Sequence, residues 1–191
     1  RVEFGRSVNV QARVVWCALI LVILASPAAA QHGGRVSIAG SVGMLYPMMD
    51  HPQVDKFDAS PALISGALLE YGVSDLFGLQ FGLLISEQQV KTGGDEKNKM
   101  TLQEMVMRFR WNILTGLWQP YLTAGANYYV ISLDPPLDDE SDPGLDFGGG
   151  LELIFTDHVS FGISGRYSYL FVEHFDAGAM ASAMATLSFT F

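Results

Sequence analysis

Cysteine is nearly absent from this 191-residue sequence, and charged residues are scarce. The single cysteine, Cys17, excludes an intramolecular disulfide framework and a cysteine-based metal site. Charged residues make up 16% of the chain, below the usual share of about 25%. Lys and Arg number 11 against 20 Asp and Glu, giving a net charge of −9 that disfavours nucleic acid as a partner. We therefore expect no nucleic-acid binding and no cofactor.

Apolar, aromatic and small residues are abundant instead. Apolar residues account for 49% of the chain, which also contains 20 glycines, 12 Phe, 7 Tyr and 3 Trp. Such a composition excludes a disordered chain, because disorder goes with low hydrophobicity and high net charge. The low charge is also unusual for a soluble enzyme.

The first thirty residues have the features of a secretory signal peptide. Three arginines precede an unbroken apolar run over residues 14–25, and three alanines at 28–30 supply a small-residue cleavage site. The run is too short for a membrane-spanning helix, which needs about 20 apolar residues. We predict cleavage after Ala30, which leaves a domain of residues 31–191 with 8 basic groups, 19 acidic groups and no cysteine. A domain without cysteine suits export through an oxidising periplasm.

The remaining chain alternates between two kinds of side chain. Between residues 159 and 169, Val, Phe, Ile, Gly and Tyr occupy the odd positions, while Ser, Gly and Arg occupy the even ones. Because successive side chains of a strand point to opposite faces, this period of two predicts strands with one apolar face and one small or polar face. Eight segments show the pattern: 35–46, 61–72, 77–90, 99–112, 119–132, 145–155, 159–172 and 178–191.

One stretch also admits a different interpretation. Residues 111–133 carry no charge and are long enough for a transmembrane helix. Pro120 lies near the middle, with Asn112, Gln119 and Asn127 nearby, and these residues disfavour a helix in lipid. We therefore interpret the stretch as two strands joined by a turn.

The connections between segments alternate in length. Those at 73–76, 113–118 and 156–158 are short, whereas those at 47–60, 91–98, 133–144 and 173–177 are mostly longer and polar. Short turns at one end and longer loops at the other are typical of outer-membrane barrels. The sequence therefore predicts an all-β fold, an eight-stranded antiparallel up-and-down transmembrane β-barrel.

The apolar faces are predicted to meet lipid, because an eight-stranded interior is too narrow for large aromatics from every strand. Aromatic residues also cluster near the segment ends, as expected for two membrane-interface girdles. We assign to these girdles Tyr71, Phe77, Trp111, Trp118, Tyr121 and Phe155 by the short turns, and Tyr46, Tyr129, Tyr169 and Phe171 by the loops.

The C-terminal segment carries the most specific signal. Leu187, Phe189 and Phe191 alternate, and an aromatic residue is last. Together with the glycine-rich stretch 147–152 and the alternating stretch 156–167, this resembles the eight-stranded OmpA-like, OmpX-like and OmpW-like outer-membrane family. The resemblance implies residence in the outer membrane of a Gram-negative bacterium, with outer-membrane lipid and lipopolysaccharide as neighbours. It also implies that the barrel-assembly machinery reads the last strand, and that the peptidoglycan-binding domain of longer members is absent.

Several charged residues share the predicted lumen face. Glu70, Arg110 and Glu152 lie three or four residues from a short turn and should reach similar depth, with Arg108 one layer farther in. Because long side chains can reach across a narrow lumen, we predict a Glu–Arg network that plugs it; separate hydration of each charge is the alternative. The candidate network is Glu70, Glu104, Arg108, Arg110, Glu152 and Arg166.

Two motifs suggest catalysis or phosphate binding. His158 and Ser160 have the spacing found in barrel lipid A deacylases and could supply a base and a nucleophile. The deacylase motif continues with Asn, where this chain has Phe161, and a short periplasmic turn is far from the outer leaflet. The glycines at 148–150 lie inside a predicted strand, not before a helix, so close packing explains them better than a phosphate loop.

Two loop features suggest metal binding. Asp138, Asp139, Glu140 and Asp142 form a possible weak divalent-ion site, in a loop that also holds Asp134 and Asp146. The spacing does not match an EF-hand, and a solvated acidic loop is the simpler interpretation. His51 and His174, each near an aspartate, could meet in space as metal ligands, although solvated loop histidines are commoner.

The sequence thus favours a non-enzymatic outer-membrane protein with a structural or surface-interaction role and a largely plugged lumen. A narrow channel for small or apolar solutes is the first alternative. A lipid-modifying enzyme is the second.

Overall fold

A computed structural model describes residues 34–50, 58–91, 97–133, 140–171 and 177–191. In this part of the chain, no helix is long and apolar enough to cross a membrane. The strands are β1 Arg35–Asp50, β2 Asp58–Ala59, β3 Ala62–Gly72, β4 Phe77–Lys91, β5 Lys97–Asn112, β6 Trp118–Leu133, β7 Glu140–Thr156, β8 Val159–Leu170 and β9 Ala177–Thr190.

Eight long strands, β1 and β3 to β9, close into a barrel. Each pairs in antiparallel fashion with its neighbours in the chain, and β1 pairs with β9 from Ser37 opposite Thr190 to Asp50 opposite Ala177. The two-residue β2 pairs with the last two residues of β4, Val90 and Lys91. The predicted eight-stranded antiparallel up-and-down barrel is therefore confirmed.

Several strands extend farther toward the long connections than the sequence pattern predicts. β1 continues to Asp50 instead of residue 46, and β7 begins at Glu140 instead of 145. The extensions remain paired, with Pro143 opposite Tyr128 and Met48 opposite Ala179. Proline and acidic residues are poor strand formers alone, but the neighbouring strand supplies the backbone partners that keep these residues in the sheet.

Short-range hydrogen bonds build the tight turns. Ser74 Oγ accepts from the amide of Phe77 at 3.2 Å, and Thr156 Oγ1 accepts from the amides of His158 and Val159 at 3.2 and 3.1 Å. Gly116 has φ of 138°, a conformation that favours glycine. We call the end of the barrel with these turns, together with Gly34 and Phe191, the turn end, and the opposite end the loop end.

The two faces of the wall separate as the alternation predicts, but two of our girdle assignments were wrong. Large apolar side chains such as Phe77, Trp111 and Ile163 are exposed on the outside. Tyr121 and Tyr129, which we assigned to the girdles, instead project inward, and Tyr129 is 0% exposed. Like the buried Asn127, both tyrosines occupy odd positions of β6. Alternation, and not aromatic character, therefore decides the direction of their side chains.

The lumen is also more apolar than predicted. We expected glycine, alanine, serine and a few charges on the inner face, but its loop half holds a cluster of buried apolar side chains. We call this cluster the apolar plug; it comprises Leu45, Ile64, Leu84, Met100, Leu102, Val106, Tyr129, Ile131, Leu170, Met180 and Met184. The core of this molecule therefore lies inside the barrel at its loop half.

Candidate functional site

The lumen brings charged side chains from separate strands together in two clusters. The six predicted residues all lie on even positions of strands whose even side chains point inward. Five of them are buried, and Glu70 is partly buried. The contacts divide them into a cluster near the turn end and a second one deeper in the barrel.

The turn-end cluster centres on Arg110 of β5. Its Nη1 donates to Glu70 Oε2 of β3 at 3.0 Å, and its Nη2 contacts Glu152 Oε2 of β7. Gln80 donates to the same Glu70 oxygen at 2.8 Å, and the Ser160 hydroxyl contacts Glu152 Oε1. One guanidinium thus joins two carboxylates across the lumen, and both carboxylates have further partners.

Tyr121 packs against this cluster. The Arg110 guanidinium lies 4.1 Å from the centre of the Tyr121 ring, a cation–π contact. Gly150 on the neighbouring strand leaves room for that ring, since a Cβ there would lie 2.6 Å from Tyr121 Cζ and 2.4 Å from the Ile163 carbonyl oxygen. The glycines at 148–150 lie inside β7, and at least Gly150 serves close packing.

The inner cluster centres on Glu104 of β5, which is 1% exposed. Arg166 of β8 donates two hydrogen bonds to it, both at 2.7 Å, from Nη1 to Oε1 and from Nη2 to Oε2. Asn127 and the Tyr129 hydroxyl also donate to Oε1, at 2.6 and 3.0 Å. The Arg166 Nε donates to Ser182 at 3.1 Å, so both members of this bidentate pair are well satisfied.

Asp146 completes the inner cluster, and our assignment of it to the acidic loop was wrong. It lies in β7, is 0% exposed and contacts Arg108, while Arg166 Nη1 lies 3.9 Å from its Oδ2. Asp146 and Glu152 both occupy even positions of β7, so alternation places the side chain of Asp146 inside the lumen as well. Its acidic neighbours at 134–142 in the sequence suggested a loop instead.

The other predicted residues of the acidic segment are placed only in part. Glu140 and Asp142 belong to β7, not to a loop as predicted, and Asp138 and Asp139 lie outside the described residues. His51 and His174 lie outside them as well. Within the described ranges, no group of three or more His, Cys, Asp or Glu residues has the arrangement of a metal site.

The structure gives His158 and Ser160 different partners. His158 lies in the turn between β7 and β8, and its Nδ1 donates to the Thr190 carbonyl oxygen at 2.9 Å. Ser160 points into the lumen and contacts Glu152. The imidazole therefore holds the end of β9, and the serine hydroxyl is bonded to a carboxylate and not to this histidine.

The predicted assembly residues Leu187, Phe189 and Phe191 lie on the outer face at the turn end. They are 45%, 49% and 76% exposed, and the amide of Phe191 donates to the Val36 carbonyl oxygen at 2.9 Å. They thus form an apolar edge beside the seam between β9 and β1.

A closed antiparallel barrel with an apolar outer wall, exposed aromatics and a charged interior is an outer-membrane β-barrel. The chain belongs to the outer membrane protein beta-barrel domain family, whose model matches residues 15–190. It is therefore a transmembrane protein of the Gram-negative outer-membrane type. In such barrels the short turns face the periplasm, so the turn end is the periplasmic end.

Solved structures of the same fold come from several bacteria. NspA, a Neisserial surface protein, is 16% identical with a TM-score of 0.59, covering 83% of this chain and 97% of NspA. OprG of Pseudomonas aeruginosa is 14% identical with a TM-score of 0.60, covering 83% of this chain and 96% of OprG. Ail, the attachment invasion locus protein of Yersinia pestis, is 14% identical with a TM-score of 0.56, covering 83% and 99% of the two chains. No curated protein sequence matches significantly. At 14–16% identity, the structural likeness establishes the fold alone.

Proposed function

We propose that this protein is a structural or surface-contact component of the outer membrane with a lumen closed to solutes. One observation carries the proposal: the lumen is crossed in series by two ion-pair clusters and the apolar plug. Charged side chains from β3, β5, β7 and β8 meet across the interior, and apolar side chains fill the half beyond them. An eight-stranded barrel is narrow enough for side chains to fill its cross-section in this way.

A narrow channel would require the apolar plug to open, because a cavity in the turn half of the lumen already runs past the turn-end cluster to Arg108 and Arg166. Breaking the ion pairs alone would leave the apolar plug, whose packed apolar side chains oppose the passage of hydrated ions. The geometry therefore favours a closed barrel over a channel. Lipid-modifying catalysis is disfavoured as well, because His158 and Ser160 are bonded to different groups.

Surface contact is assigned to the long connections at the loop end. The segment 134–142 contains five acidic residues and two prolines, so its charge supports contact with cationic groups or with divalent ions that bridge lipopolysaccharide. Export through the periplasm and recognition of the last strand by the barrel-assembly machinery belong to the same proposal. The exposed edge formed by Leu187, Phe189 and Phe191 supports it.

Liposome swelling tests the closed lumen. Purified barrel is reconstituted into vesicles, and swelling is followed after dilution into small sugars and amino acids, with a general porin as the positive control. We expect swelling no faster than in protein-free vesicles. A swelling rate that rises with the amount of barrel would establish a channel instead.

Cells expressing the protein test the other parts of the proposal. A matched variant replaces residues 134–139 with glycine and serine, which removes three of the five acidic residues and keeps Glu140 and Asp142 of β7. We expect adhesion of intact cells to cationic surfaces to fall in this variant, and equal adhesion would contradict surface contact through this segment.

Mass spectra of lipid A from cells with and without the barrel should be identical, and an acyl-chain difference would indicate an enzyme.

A further inference from the structure

Two neighbouring turns at the periplasmic end of the barrel carry exposed apolar side chains. The β5–β6 turn, residues 113–117, contains one Ile, two Leu and no charged residue. Because a short turn in a barrel of this type faces the periplasm, exposed apolar side chains there indicate contact with an apolar partner. We call this surface the turn patch; it comprises Leu76, Phe77, Trp111, Ile113, Leu114, Leu117 and Trp118, which are 42–60% exposed.

The turn patch is held together as one surface. Asn112 joins the two turns, because its amide donates to the Leu76 carbonyl oxygen at 2.8 Å and its Nδ2 donates to the Asp75 carbonyl oxygen at 3.0 Å. The rings of Phe77 and Trp111 stack, with centres 6.4 Å apart and planes 11° apart. The apolar side chains of both turns are therefore presented together to a single partner.

The turn patch continues the lipid-facing outer wall. Phe77 and Trp111 are end residues of β4 and β5, and Phe109, the next outward residue of β5, is also exposed. Thr115 and Gly116 of the β5–β6 turn instead line the mouth of the lumen cavity. The turn thus has a lumen side and an apolar side, and the apolar side is continuous with a surface that lies in lipid. This continuity identifies phospholipid as the partner.

The β7–β8 turn has the opposite character. Its residues Thr156, Asp157 and His158 are polar and exposed. The carbonyl oxygen of Leu117 accepts from the amide of Ile154 at 2.9 Å, two residues before that turn, so the neighbouring turns protrude to a similar extent. In an upright barrel both turns would reach the same layer, and one of them would lie in an unfavourable environment.

We propose that the turn patch lies in the phospholipid of the periplasmic leaflet, at the boundary between acyl chains and headgroups, and that the barrel tilts so that the β7–β8 turn stays in water. Trp111 and Trp118 favour this layer, because an indole ring combines an apolar body with a polar N–H. Interfacial anchors of this kind set the tilt of membrane-spanning elements. The placement extends the lipid contact of the outer wall and does not depend on whether the lumen is closed.

Electron paramagnetic resonance of single nitroxide labels tests the placement. Leu114→Cys and Asp157→Cys, each combined with Cys17→Ser, put a label on an exposed position of either turn, and Val42→Cys on the outer wall is the lipid reference. The folded barrels are reconstituted into vesicles of phosphatidylethanolamine and phosphatidylglycerol, with a water-soluble nickel chelate on both sides. Oxygen concentrates in hydrocarbon and the chelate in water. We therefore expect the oxygen-to-nickel collision ratio at Leu114 to approach that at Val42 and to exceed that at Asp157 several-fold.

Two results would overturn the proposal. Equal collision ratios at Leu114 and Asp157 would remove the difference between the two turns. Low collision rates with both reagents at Leu114 would show that a second copy of the chain, and not lipid, covers the patch in this purified system. Conductance plays no part in either result, so a failure here is distinct from a failure of the closed lumen.

A further substitution tests whether the apolar side chains hold the turn in lipid. Leu117→Asp, added to the Leu114→Cys variant, should raise the nickel collisions of the label, because a charge on the patch favours water. Thr115→Asp is the matched control, since it adds the same charge to the same turn at the mouth of the lumen, and it should change the label much less. Equal responses to the two substitutions would contradict lipid contact through the patch. All three side chains are exposed, and heat-modifiable migration on gels verifies that each barrel is folded.

Discussion

Arg110 shows how a single residue can tie the barrel together across its interior. It comes from β5, and its two carboxylate partners come from β3 and β7, which are not neighbours in the sheet. Such a group is tolerated in a membrane protein because its charge faces the lumen and is paired there. Loss of any one member destabilises the barrel, since it leaves a charge in the lumen without compensation.

Replacing Arg110 with Ala should lower the free energy of unfolding. The substitution leaves Glu70 and Glu152 facing each other without a cation, and breaking a buried pair typically costs about 3–5 kcal/mol. Because the cavity admits water to this cluster, we expect a value near the lower end. Urea unfolding in lipid vesicles measures the change.

The double variant Arg110→Gln with Glu152→Gln is the control for that prediction. It removes one positive and one negative charge together, so it should recover part of the free energy of unfolding that the loss of Arg110 alone removes. Strictly additive effects of the two single changes would show that the charges are not coupled.

Gly150 and Gly40 form a second test at the residue scale, because both lie within strands but face different surroundings. A Cβ at Gly150 would meet the Tyr121 ring at 2.6 Å, whereas a Cβ at Gly40 on the outer wall meets nothing within 4 Å. Gly150→Ala should therefore destabilise by about 1–3 kcal/mol through overpacking. Gly40→Ala should be neutral or stabilise by up to about 1 kcal/mol. Equal effects on the urea midpoint would contradict this account of the lumen packing.

Strands are the scale at which the sequence was most informative. Alternation alone gives the direction of Glu104, Arg110 and Glu152, because the strand period of two is fixed by backbone geometry. Our assignments of Tyr121, Tyr129 and Asp146 were wrong because residue type was weighed above strand position. Which carboxylate meets which arginine depends on the stagger between strands, and a single sequence carries no signal for that.

The seam between β1 and β9 makes a prediction about assembly. Phe191→Ala removes the last aromatic of the exposed edge that also contains Leu187 and Phe189, so folding of the barrel in cells should slow. Heat-modifiable migration on gels measures the folded fraction over time. Thr190→Ala is the control: it keeps the carbonyl oxygen that accepts from His158 but loses the 2.7 Å hydroxyl contact with Ser37 across the seam, so it weakens the seam without removing an aromatic. Wild-type rates for Phe191→Ala would remove the residue from the assembly signal.

The outer wall makes a prediction for the barrel as a whole. Val42 is 49% exposed near the middle of β1, and Val73 is 60% exposed in a turn at the periplasmic end. If the wall faces hydrocarbon, Val42→Arg should cost about 2–4 kcal/mol and Val73→Arg about 0–1 kcal/mol. Unfolding in vesicles compares the two, and equal costs would place the wall outside the bilayer.

The apolar plug is a feature of the whole barrel that we did not predict from the sequence. Where both faces of a strand are apolar, as at Leu83, Leu84 and Ile85, alternation weakens and the inner face cannot be told from the lipid face. Only the closed geometry shows that Leu84 joins side chains from other strands inside the barrel. The plug, together with the two ion-pair clusters, is what makes the lumen a barrier.

Single-channel recording in planar bilayers tests that barrier most directly. Purified barrel is added at rising concentration in molar salt, with a general porin as the positive control for insertion. A closed lumen predicts no discrete current steps from the barrel, even when the folded protein is recovered from the membrane. Uniform steps whose frequency rises with the amount of folded barrel would contradict the closed lumen.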